Sequence, residues 1–207
     1  MARLALEENP RRRNRSRRIR ELVTIDRTGG ILLIIGSVVF GLGAGVGVPG
    51  VFTQRDPAVR LRMLSERLRA WQIAQPLYAI GSAVAAAGVA FLAAASEDAG
   101  RVVLAGSCAT LCVGALAWCW ALYLRGTRVS DFAFGALPSW PFATYVLLTI
   151  AGIALLALGL LIGDFRTWIG LITVGADVVF LAGYVRFKDI PPFVFYLLLA
   201  LVGLAVL

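Results

Sequence analysis

One carboxylate carries the strongest chemical signal in this sequence. Asp177 stands ten residues into an apolar run that begins near Thr167 and ends near Arg186. At about 1.5 Å of rise per residue, that depth is close to the middle of a membrane helix. No other Asp, Glu, Lys or Arg sits so deep in an apolar segment. A charged carboxylate costs on the order of several kcal/mol in hydrocarbon, so such a residue is buried against a partner, protonated, or part of an ion pathway. Thr173 lies one turn earlier and Tyr184 two turns later on the same face, and with Asp177 they form a candidate intramembrane polar site. Thr110, Cys112 and Thr149 are the candidate partners at comparable depth in other segments.

The remaining chemistry is sparse. Histidine is absent, which removes Ser-His-Asp and Cys-His nucleophile systems, HExxH zinc sites and histidine haem ligation. An intramembrane aspartyl protease needs a second carboxylate at matching depth, and none is present. Cys108, Cys112 and Cys119 fall on one helical face, but Cys119 lies about 16 Å along the axis from Cys108, too far for one metal site. They read as small packing residues. The stretch GVGVPG at 45–50 matches GxGxxG in letters, yet no strand precedes it, so the nucleotide reading fails on context. No catalytic, metal or cofactor-binding residue is assigned, and no cofactor is expected.

The elements that must position Asp177 follow from composition. Of 207 residues, 59% are hydrophobic, about ten percentage points above a typical soluble domain. The excess is gathered in runs long enough to span a bilayer. The expected fold is all-α: a polytopic transmembrane bundle of six spans near 29–52, 76–95, 102–124, 142–162, 167–186 and 191–207, with one amphipathic interfacial helix. Residues 29–207 form one membrane domain behind a basic tail, residues 1–28, with nine Arg against four acids. Arg11, Arg12, Arg13, Arg15, Arg17 and Arg18 are too densely charged to bury anything. They suit a disordered or lipid-associated segment touching anionic headgroups, and a positive-inside signal. Nucleic acid is a poor partner, because no aromatic or folded reader accompanies them.

Local signals refine the picture. In span 1, Gly41/Gly45 and Gly43/Gly47 make two GxxxG pairs, candidates for close helix packing. Residues 56–74 read as the interfacial helix, with Asp56 as N-cap, Pro57 at the first helical position, and Leu61, Leu64, Leu68 and Trp71 on one face. Asp189 reads as the N-cap of span 6. Phe132, Phe134 and Trp140 suggest an aromatic belt. With six crossings and the tail inside, 11 basic residues fall inside and 9 outside, and the five Arg at 55, 60, 62, 67 and 69 cause the conflict. A re-entrant span 1 would resolve that conflict, but its apolar run is long enough to cross, so six crossings are preferred.

The apolar GG-initiated first span, the stretch RLRMLSERLRAWQIAQPLYAIG at 60–81 and the ending FLAGYVRFKDIPPFVFYLLLALVGL at 180–204 together resemble a family of small bacterial six-helix membrane proteins of unknown function. The resemblance implies the architecture and adds no activity or functional residue. Two functions remain in play. One is a non-catalytic accessory, assembly or structural protein of the bacterial cytoplasmic membrane, N-terminus cytoplasmic, partnered by lipid and by another membrane protein or a second copy. The other is a small transporter or proton-coupled channel using Asp177.

Overall fold

The computed structural model describes residues 10–163, 165–187 and 190–207, with side chains described from Thr24 onward. Eight helices and no strand appear among the described residues. They are α1 (Pro10–Val46), α2 (Pro57–Glu66), α3 (Leu68–Ala95), α4 (Asp98–Thr127), α5 (Val129–Ala133), α6 (Trp140–Ile162), α7 (Thr167–Phe187) and α8 (Phe193–Val206). Five are long and apolar enough to cross a membrane: Thr24–Val46 of α1, and α3, α4, α6 and α7. Helix α8, 14 residues, is shorter than the expected sixth span at 191–207 and, at about 21 Å, shorter than a hydrocarbon core of about 30 Å. It is nonetheless apolar and packs along α1.

Several boundaries differ from expectation for local reasons. Helix α1 begins at Pro10, so most of the basic segment continues the first span as one helix. Its other end falls at Val46 rather than at 52. Pro49 cannot extend the hydrogen-bond ladder, and Gly50, at φ +73°, turns the chain so that Thr53 and Gln54 both donate to its carbonyl. The 56–74 helix is really two. Asp56 caps α2, its carboxylate accepting from Ala58 N at 2.8 Å and Val59 N at 3.4 Å. The helix then breaks at Arg67 (φ −124°, ψ 32°). Leu68 and Trp71 belong to α3, which runs through Pro76 to Ala95.

Antiparallel neighbours pack through small residues seven apart. On α1, Gly29 meets Gly88 of α3, Gly36 meets Gly81, and Gly43 meets Ala74 and Tyr78. A Cβ on Gly36 would stand 2.5 Å from Ala85 N, and one on Gly81 would stand 2.6 Å from Phe40 N. On α6, Gly152 and Gly159 receive Leu111 and Leu104 of α4. On α8, Gly203 abuts the carbonyl of Gly30. Backbones in contact maximise dispersion where lipid offers no hydrophobic drive for association. Polar side chains work as local glue in the same seams: Ser107 donates to the carbonyl of Gly152 at 2.7 Å, joining α4 to α6. The outward faces stay apolar, as at Val102, Leu116, Val179 and Leu201, each more than half exposed. Such faces suit contact with lipid tails.

A second, smaller core closes one end. Val48, Val51, Leu64, Trp71 and Ala133 are buried together, with Leu61, Met63, Val129 and Phe132 packed against them. The turn after α1, helix α2 and helix α5 thus form a cap over the ends of α3 and α4. Leu64 and Trp71, expected on a lipid- or edge-facing stripe, lie inside this cap, while Leu68 is exposed.

Candidate functional site

Asp177 lies mid-way along α7, on the inward face it shares with Ile169, Gly170 and Thr173. Only 8% of it is exposed, and its Oδ1 is buried without a hydrogen-bond partner among the described residues. Thr173 is fully buried but spends its hydroxyl on its own helix, donating to Ile169 O at 2.8 Å. Tyr184 is partly buried and packs against the main core. The three residues share a face without forming a hydrogen-bonded cluster. Two of the three partners considered at equal depth are engaged or turned away: Thr110 donates to Gly106 O at 2.8 Å, and Cys112 is exposed. Thr149 is buried on α6. Cys108 is half-buried with its Sγ 3.5 Å from Ala86 O, and Cys119 is exposed; all three cysteines are free. No group of His, Cys, Asp and Glu suited to a metal ion occurs among the described residues.

The glycine pairs divide by helix face. Gly43 and Gly47 face α3, near Ala74 and Tyr78. Gly41 and Gly45 have nothing within 4 Å of an added Cβ, so that pair makes no packing within the chain. Intrachain approach uses the heptad set 29, 36 and 43 instead. The side chains of Arg11, Arg12, Arg13, Arg15, Arg17 and Arg18, and the capping role of Asp189, lie outside the described residues.

The structure assembles a polar and aromatic column that the sequence did not announce. Tyr196 of α8 donates to Ser82 Oγ of α3 at 2.6 Å, and Tyr145 of α6 lies 3.5 Å from the Tyr196 hydroxyl. Phe40 stacks on Tyr196 with centroids 3.7 Å apart, and Trp118 stacks on Tyr145 at 4.6 Å. Five helices therefore meet at one knot, where each hydroxyl has a partner and each ring a neighbour. The column continues into the cap through Arg125, whose Cζ is 4.9 Å from the Trp118 ring and 5.1 Å from that of Phe142, within cation–π range. The carbonyl of Arg125 accepts the indole N–H of Trp71 at 2.9 Å. These residues come from helices far apart in sequence, so only tertiary packing brings them together.

Comparison with protein-family models, with curated proteins and with solved structures finds no match. The functional reading therefore rests on this chain's own residues.

Proposed function

We propose that this protein is a non-catalytic component of the bacterial cytoplasmic membrane, an accessory, assembly or structural subunit with its N-terminus in the cytoplasm. The observation that carries the reading is the seam chemistry of the bundle. Glycine heptads hold α1 to α3, while Ser107 and the Ser82–Tyr196–Tyr145 chain spend their polarity on neighbouring helices. Such packing favours a rigid body over an alternating pathway, which calls for broken helices around a shared polar site. The peripheral helix α7 presents a broad apolar surface beside Asp177, with Leu171, Val178 and Val185 all exposed.

The test is purification of the full chain in mild detergent, with identification of what stays bound. A stoichiometric membrane-protein partner or a stable homo-oligomer is expected. A monomer that carries ions or solutes across reconstituted vesicles would sink the reading. The transporter alternative has one observation in its favour, the buried Asp177 oxygen without a partner among the described residues. It requires pH-dependent flux that vanishes in Asp177→Asn.

A further inference from the structure

At the capped end of the bundle a cavity of about 250 Å³ opens beside the aromatic column. It is smaller than the roughly 300–1,000 Å³ of pockets for drug-sized ligands. Two guanidinium groups line it, from Arg60 of α2 and Arg125 of α4, together with Phe132, Phe142 and Ser139, and no acidic side chain among the described residues does. Arg60 is half-buried. Its Nε donates to Gln54 O at 3.1 Å, its Nη1 to Ala133 O at 3.2 Å, and its Nη2 to Gln54 O. Carbonyls orient the group without neutralising it, and three of its five N–H donors are spent. The remaining two have no partner among the described residues, and a half-buried cation without a counter-charge among them favours an anion beside it.

A third contribution comes from α6, a helix of 23 residues. Ser139 stands at its N-cap position without capping it, and no acidic residue occupies its first turn. The positive end of the helix therefore meets the same cavity as the two arginines. Gly135, at φ +69°, folds the preceding loop around the rim. Arg125 lies two residues before the end of α4 and Phe142 in the first turn of α6, the height at which headgroups meet a bilayer protein.

We propose that this cavity binds a phosphate-type anion, either the headgroup of an anionic lipid or a soluble phosphate. Arg60 and the α6 N-terminus supply the donors, and Arg125 with its flanking rings forms the wall. The site does not depend on the non-catalytic reading and lies at the opposite end of α1 from the basic tail.

The full-length protein, delipidated in neutral detergent, is titrated separately with phosphatidylglycerol, phosphatidylcholine and inorganic phosphate. Binding is read by native mass spectrometry and by the melting temperature. Saturable uptake of phosphatidylglycerol over phosphatidylcholine identifies a headgroup site, and a melting temperature raised by phosphate alone identifies a soluble ligand. In either case Arg60→Gln should weaken binding by roughly tenfold or more, the scale of one charge-assisted hydrogen bond, with Arg60→Lys recovering part. Tail arginines contribute equally to parent and variant, so the difference isolates the cavity. If Arg60→Gln does not fold, Ser139→Ala, which removes only a hydroxyl, must weaken binding instead. Absence of saturable binding to either anion, or affinity unchanged in a folded variant, overturns the proposal.

Discussion

A carboxylate oxygen sealed in a helix bundle without a donor costs the protein about 1–3 kcal/mol relative to a satisfied group. Asp177 Oδ1 is such an atom, and that sharpens what its substitutions should do. If Asp177 serves nothing, Asp177→Leu removes an unsatisfied group from an apolar helix, and the melting temperature in detergent should hold or rise. If a second chain supplies the donor, the same change strands that donor, and the complex recovered in mild detergent should dissociate. Asp177→Asn keeps the shape and cannot ionise, so it should preserve both fold and assembly. The accessory reading therefore predicts that Leu, and not Asn, breaks the complex. Loss of assembly in Asn as well would mean that the charge itself is required. The mid-helix position of Asp177 was readable from the sequence because depth in an apolar run is a one-dimensional property. Its lack of a partner was not, since that depends on where Thr110, Cys112 and Thr149 point.

Among the helices, the decisive contacts are backbone to backbone. A methyl on Gly36 or Gly81 would meet main-chain atoms at 2.5–2.6 Å, and backbone gives way only by separating the helices. Gly36→Ala and Gly81→Ala should each destabilise by roughly 1–3 kcal/mol. Gly41→Ala and Gly45→Ala should be neutral, or stabilising by up to about 1 kcal/mol through helix propensity. Thermal unfolding of the four variants in one detergent checks the contrast, and equal effects in all four would contradict the packing. Spacing alone favoured the GxxxG pairs, because four-residue repeats describe one helix and say nothing of its neighbour. The seven-residue repeat that joins α1 to α3 shows its meaning only once both helices are aligned. Local signals fared better: Asp56 and Pro57 start α2 as their chemistry dictates. The break at Arg67 had no such signal, since it follows from docking Leu64 and Trp71 into the cap. The same holds for the α2 surface. Leu64→Glu places a charge in that buried cluster and should expose the 47–67 segment to protease, whereas Leu68→Glu, at an exposed position, should be tolerated. Protection unchanged in Leu64→Glu would show the cap to be held by other contacts.

Across the whole molecule, the course of α1 bears on the conflict among the arginines. A re-entrant first span would return the chain to its starting side, yet α1 continues unbroken to Val46. It then lies antiparallel to α3 from Gly29 beside Gly88 to Gly43 beside Ala74. The cap is therefore at the opposite end of the bundle from Thr24, and the short connection at 96–97 returns to the first side. Arg60 and Arg125 are engaged in the cap by carbonyls and rings. Such arginines are part of the folded structure as well as topological signals, which weakens the simple count of positive charge on each side. Reporters fused at Ser65 and at Glu97 should thus report opposite compartments, with Ser65 outside if the basic tail is cytoplasmic. Single-cysteine labelling of intact cells, in a background where Cys108, Cys112 and Cys119 are replaced by Ala, gives an independent readout: Ser65→Cys should react with an impermeant reagent and Glu97→Cys should not. Reaction at both positions, or at neither, would place them on one side and require a chain path that this bundle does not have.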